Sequence, residues 1–333
     1  MNKIITILFL ATLSLGINAQ DAHLSQYYAS PLYLNPGMTG MMDEDFRFSG
    51  NYRSQWRSVT VPYITSALSY DMKSRGKYGF GGMFLNSSAG DGNFNVTTAL
   101  LSAAYNFKVD SNQNHKVSIG LQGGIINKNI DWYQLFFGNQ YNRNNGGGFD
   151  PNIEPSIELL TSNVTVPDVN FGFMYYYGNL KSTFNPFLGG SVYHITRPNE
   201  SFFQDDIKIP RKYRMHGGAK INVSPTWQLL PLVSFMRQEN FNDIAFNLIS
   251  HYYLRESDAY LILGPTYRST KHVDAIIFHT GIRKGKFIYR LSYDINASIL
   301  STLSQGRGGI EFSLQYVGFF MPKLPKHACP RLQ

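Results

Sequence analysis

The sequence predicts an all-β fold, a 14-stranded antiparallel transmembrane β-barrel of the outer-membrane kind with a plug-like N-terminal segment. Three observations carry the prediction. Beyond residue 45 the chain reads as segments of about ten residues in which apolar and polar side chains alternate, the period of a strand with one face to lipid and one to water. Turn lengths follow the same parity, brief after even segments, with every long turn falling after an odd one. Composition agrees: 22 Tyr and 24 Phe help bring aromatic residues to 15% of the chain, while charged residues reach only 16%, against about 25% in a soluble domain. Past the leader, no run approaches the roughly 18 consecutive apolar residues of a spanning helix, so a membrane span must be a closed barrel.

The chain divides into a leader (1–19), a non-strand segment (20–45), the barrel (46–320) and a C-terminal tail (321–333). The leader has a basic head at Lys3, the apolar run Ile4 to Leu15 and a small-residue end at Ala19. It reads as a Sec signal peptide cut after Ala19. Gln20 stands where a lipoprotein needs a cysteine, and Cys329 is the only cysteine, so neither lipid anchoring nor a disulfide framework is expected. Cys329 is left as a free periplasmic thiol or a bond to a partner. Without Lys3, 29 basic residues face 22 acidic ones, a net +7. A basic barrel among anionic outer-membrane lipid accounts for this charge without nucleic acid.

Residues 20–45 lack strand periodicity yet hold Leu24, Tyr27, Tyr28, Leu32, Tyr33 and Leu34, with Pro31 and Pro36 opposing regular pairing. Such a segment is poorly soluble if left trailing. It either folds back as a partial plug or forms a docking strip for a periplasmic partner. Strands are expected near 46–56, 63–73, 77–87, 94–109, 115–131, 169–178, 185–196, 211–223, 227–239, 241–254, 259–268, 275–284, 286–296 and 307–320. The even count puts both termini in the periplasm and the long loops 132–168, 197–210 and 297–306 outside.

Alternation assigns the lumen Arg47, Arg53, Arg214, Lys220 and Arg290 against Asp71, Asp294 and Glu311, with Arg53 expected to pair with a lumen carboxylate such as Asp71 on the neighbouring strand. The plain reading is a mutually neutralising network, the sharper one a selective binding surface. In the longest external loop, Trp132, Tyr133, Phe136, Phe137 and Tyr141 stand beside the glycine run 146–148. Exposed aromatic residues suit protein contact, and the same residues would also serve as a lid over the barrel mouth.

The stretch Ser25-Gln26-Tyr27-Tyr28-Ala29-Ser30-Pro31-Leu32-Tyr33-Leu34-Asn35-Pro36, followed by Asn51-Tyr52-Arg53-Ser54-Gln55-Trp56 and Ser69-Tyr70-Asp71, resembles the PorP/SprF family of Bacteroidota outer-membrane proteins. Arg197-Pro198, Ser292-Tyr293-Asp294 and Cys329-Pro330-Arg331 extend the resemblance over the whole chain after the leader. The ending departs from the family's usual aromatic, with Leu332-Gln333 in its place. The resemblance implies a barrel of the type IX secretion and gliding machinery. It would bind, anchor or help export a surface adhesin through the adhesin's C-terminal sorting domain, alongside other secretion components.

Enzyme signals are poor. The eight histidines show no metal-ligand spacing, and there is no Gly-x-Ser-x-Gly elbow. Asp110 to Asn114 imitates the start of a calcium loop, but His115 and Leu121 occupy its glycine and glutamate positions, so it reads as a hairpin turn. No catalytic residue, cofactor or metal is expected. The alternative function is an outer-membrane channel or a transporter for small molecules or lipid.

Overall fold

The structure is a computed structural model. It describes residues 21–320 apart from 58–60, 75–76, 91, 112–113, 143–146, 151, 156–160, 180, 204, 271–272 and 299–300. The expected leader and C-terminal tail, with Cys329, lie outside the described residues. Fourteen strands close one antiparallel barrel: β1 (Phe46–Gln55), β2 (Tyr63–Ser74), β3 (Tyr78–Ala89), β4 (Phe94–Lys108), β5 (His115–Asn129), β6 (Asn163–Tyr177) and β7 (Phe184–Tyr193). The second half is β8 (Lys212–Ser224), β9 (Trp227–Gln238), β10 (Phe241–Leu254), β11 (Ala259–Ser269), β12 (Val273–Lys284), β13 (Phe287–Asn296) and β14 (Arg307–Gly318). Each strand pairs with the next, and β14 returns to β1 with Phe46 opposite Gly318 and Gln55 opposite Gly309. Among the described residues no helix is long and apolar enough to cross a membrane.

Period-2 alternation fixes which way each side chain points. Along β13, Phe287, Tyr289, Leu291 and Tyr293 are exposed on the outer face while Arg290, Ser292 and Asp294 are buried inside. Along β2, Leu68 and Tyr70 face out and Thr65, Ser69 and Asp71 face in. At the short-turn end, rings of neighbouring strands meet on the outer face, Phe287 with Tyr316 at 4.9 Å and Phe46 with Tyr316 at 5.8 Å. Such an aromatic girdle suits a membrane boundary.

One boundary differs from the sequence reading. Strand β6 begins at Asn163, not near 169, so the long loop spans 130–162 and Asp168 lies inside the barrel wall opposite Gly124. Proline 167 accounts for the difference, because it reads as loop in sequence. In the sheet its ring faces out, opposite Ile125.

A candidate site inside and above the barrel

Residues 21–45 run through the lumen from the long-loop end to the short-turn end. They form three single turns of helix, Tyr27–Ala29, Pro31–Leu34 and Pro36–Met38, with proline at the first position of the last two. There proline's missing N–H costs nothing and its fixed φ suits the turn. Turns this short leave their carbonyls without internal partners, and the wall supplies them. Gln315 donates to Ala29 O (3.0 Å), Gln122 to Leu32 O (2.9 Å), Tyr193 to Tyr33 O (2.8 Å) and Ser191 to Leu34 O (3.3 Å).

The residues singled out by the motif are the ones most deeply held. Gln26, fully buried, donates to Ser292 Oγ (3.0 Å) and Glu311 O (2.9 Å) and accepts from Ser313 Oγ (2.7 Å). Asn35 accepts from Gly37 N (2.8 Å) and donates to Phe173 O (2.8 Å), with His216 Nε2 at 3.0 Å. Tyr27 donates to Asn247 (2.7 Å). Close approach of the two backbones needs glycine on the wall: a Cβ on Gly120 would overlap the Pro36 carbonyl, and one on Gly172 the Asn35 side chain.

The charged lumen residues gather around this segment, and Arg53 pairs with lumen carboxylates other than the one named from sequence. Arg53 does not pair with Asp71. It meets Asp294 at 2.7 Å and Glu311 at 3.9 Å and donates to His23 O at 2.5 Å. Asp71 instead holds Arg47 (2.8 Å) and Gly40 N (2.8 Å). Register explains both, since Arg47 stands opposite Asp71 and Arg53 opposite Thr65 on one side and Glu311 on the other. Glu311 also accepts from Ser25 N (2.6 Å), and Asp294 from Ser25 Oγ (2.7 Å).

Arg214 and Arg290 have no ion pair among the described residues. Arg214 lies over the Tyr33 ring at 5.1 Å, and Arg290 sits near the Tyr28 ring at 5.7 Å and donates to Gln315 (2.8 Å). The lumen is also less polar than alternation alone implies. Leu24, Leu32 and Tyr33 pack on inward-facing Met83, Leu85 and Leu100, while Tyr28 packs on Ile249, Ile262 and Ile288.

At the long-loop end the segment is tied by a cluster that sequence reasoning missed. Asp21 contacts Lys212 and His194 Nε2 (2.8 Å), and His194 Nδ1 contacts Asp168 (3.0 Å). Burial opposes charge on His194, but Asp21 and Asp168 outweigh it and raise its pKa to about 9. Burial likewise works against the Asp21 carboxylate, yet Lys212 and His194 hold it well below the usual carboxylate range. Above this cluster a cavity of about 720 Å³ remains.

The long loop turns its aromatic residues elsewhere. Tyr133 is 100% exposed and Phe136 56%, with Phe136 stacked on Phe149 (5.4 Å) and Tyr141 edge-on to Phe149 (5.5 Å). Trp132 packs edge-on against Phe202 of the β7–β8 loop (5.9 Å), and Phe137 is half-buried. None of these five expected contact residues lines the cavity. The loop is fastened at its base, where Asp131 N donates to Gly92 O (2.8 Å) and Leu135 covers Gly92.

The family model described as type IX secretion system membrane protein PorP/SprF matches residues 17–316. The chain belongs to the PorP/SprF family. No curated protein matches this PorP/SprF chain. Among solved structures it is similar to a Pseudomonas aeruginosa FadL homologue, with 11% identity, a TM-score of 0.47 and coverage of 86% of this chain and 93% of that one. It is also similar to a mutant of the TodX monoaromatic hydrocarbon channel (10%, 0.49, 86% and 93%) and to the KdgM porin (10%, 0.37, 80% and 98%).

Proposed function

We propose that this PorP/SprF barrel works in the outer membrane as a non-enzymatic anchor. It binds the C-terminal sorting domain of a secreted surface protein and retains or helps export it, with other type IX secretion or gliding components at its periplasmic face. The long-loop end then faces outward and the short-turn end the periplasm, as the turn-length pattern of such barrels requires. The observation that carries the reading, beside the family, is the aromatic surface at Tyr133, Phe136, Tyr141 and Phe149. These rings are exposed, Tyr133 fully and the other three about half, on a loop fastened to the barrel at its base. Large aromatic side chains dominate contact hot spots, each worth roughly 2 kcal/mol or more.

The N-terminal segment supports anchoring over diffusion. Its buried hydrogen bonds to β5, β7, β13 and β14 support reading it as a plug, and a plugged barrel offers no wide aqueous path. The test is the combined change Tyr133→Ala and Phe136→Ala in cells. Surface proteins held by the wild type are expected in the medium while the barrel stays heat-modifiable on gels. A folded, inserted variant that still holds all of them would refute the anchoring role.

A further inference from the structure

The cavity above the N-terminal segment has two unlike walls. From β3 to β5 one wall is apolar: Met83, Leu85 and Leu100 line it where they also pack on Leu24 and Leu32, and Val96 and Ile126 extend it beyond that contact. The facing wall carries Arg268, Asp274 and Asp294 from β11 to β13. Arg268 spans both acids, at 2.6 Å to Asp274 and 3.4 Å to Asp294. The Asp294 side chain is 2% exposed, and its Oδ2 takes Arg53, Ser25 and Arg268, but Oδ1 has no donor among the described residues. Oδ2 of Asp168, also lining the cavity and equally buried, is likewise without a donor. Asp21 and His23 line the cavity where the N-terminal segment begins, so the segment closes its inner end.

A ligand here has to bring hydrogen-bond donors to one wall and hydrocarbon to the other. An extended peptide does both, because successive side chains point to opposite sides, and a volume of this size falls within the range of ligand pockets. We propose that this vestibule binds an extended segment of the exported partner in which apolar side chains alternate with Lys or Arg. The apolar side chains lie on the Leu85–Leu100 wall, and the cations face the Asp274–Asp294 wall. The proposal rests on the anchoring reading and names the part of the partner that enters the barrel.

The full-length protein in phosphatidylcholine nanodiscs tests it, titrated with fluorescein-labelled nonapeptides that alternate Val with Lys, Val with Glu, or Ser with Lys. The Val–Lys peptide is expected to bind at least tenfold tighter than either control. Leu100→Asn and Asp274→Asn, each checked for heat-modifiability, are expected to remove most of that preference. Equal binding of the three peptides, or a preference untouched by both substitutions, overturns the proposal. A hydrocarbon ligand that co-purifies with the wild type and blocks the peptide also overturns it, assigning the cavity to a small apolar molecule. In cells, Leu100→Asn should release surface proteins as the Tyr133/Phe136 variant does. Full retention by Leu100→Asn beside release by the loop variant sinks the vestibule proposal and leaves anchoring intact, whereas retention by both sinks anchoring itself.

Discussion

The N-terminal segment and the β5–β6 loop are built from the same kinds of residue, tyrosine, phenylalanine or leucine, glycine and proline, and finish in opposite surroundings. Leu32 and Gln26 of the first are fully buried, while Tyr133 of the second is fully exposed. The difference lies in what faces each. The segment meets a wall shaped for it, with glycine where backbones touch and Gln122, Tyr193 and Gln315 placed to receive its carbonyls. The loop meets mainly its own rings and the neighbouring β7–β8 loop. Aromatic content alone does not separate an internal staple from a contact surface; the complementary residues elsewhere in the chain do.

The sharpest way to break the inner region is to remove Arg53. Glu311 would be left buried without its cation, and Asp294 would keep only Arg268 at 3.4 Å, at about 3–5 kcal/mol, so Arg53→Ala should lower the thermal midpoint of the detergent-solubilised barrel markedly. An unchanged midpoint would mean that water reaches these carboxylates and that the lumen is not packed.

Next in size is Gly172→Val, whose side chain would occupy the place of Asn35. The wild type is expected to be silent in planar bilayers and the variant to conduct, the strands themselves remaining paired. A silent variant, or a conducting wild type, would move the barrel toward the channel alternative.

A smaller effect belongs to the outer tie. His194 is raised above its ordinary pKa, so its stabilising contribution is complete below about pH 6.5 and fades as pH rises through about 9. Asp21 is lowered, so its contribution is kept above the ordinary carboxylate range and fades in acid. His194→Gln should therefore cost roughly 1–2 kcal/mol at pH 7 and almost nothing at pH 10. A cost that does not change between these pH values would remove the charge from the explanation.

Much of the barrel was legible in sequence because a strand with one face inside needs only local alternation, and the alternation of turn lengths checked the count. Thirteen of the fourteen strand starts lie within about two residues of their expected positions, and the exception, β6, hides behind Pro167. Pairings inside the lumen were not legible in the same way. Arg53 faces Glu311 because β14 closes onto β1, a relation between residues far apart in sequence that periodicity does not carry. The cluster of Asp21, Asp168, His194 and Lys212 escapes periodicity for a related reason: Pro167 gives Asp168 the look of a loop residue, and Asp21 joins it only through the path of the N-terminal segment. The inward Met83, Leu85 and Leu100 make sense only once Leu24 and Leu32 are seen against them.

The smallest perturbation concerns topology and should leave stability unchanged. A labelling tag at Gly147 is expected to be reached on intact cells, and one after Ser224 to be shielded, because the two lie at opposite ends of the barrel. The reverse result would turn the barrel over and place the aromatic loop in the periplasm.

The division of labour between the two regions is tested most directly by comparing surface-protein retention and bilayer conductance in the Tyr133→Ala/Phe136→Ala variant and in Gly172→Val. The loop variant should release its cargo and stay silent, and Gly172→Val should conduct while keeping its cargo. A folded loop variant that keeps every surface protein, or that conducts as Gly172→Val does, would contradict the account.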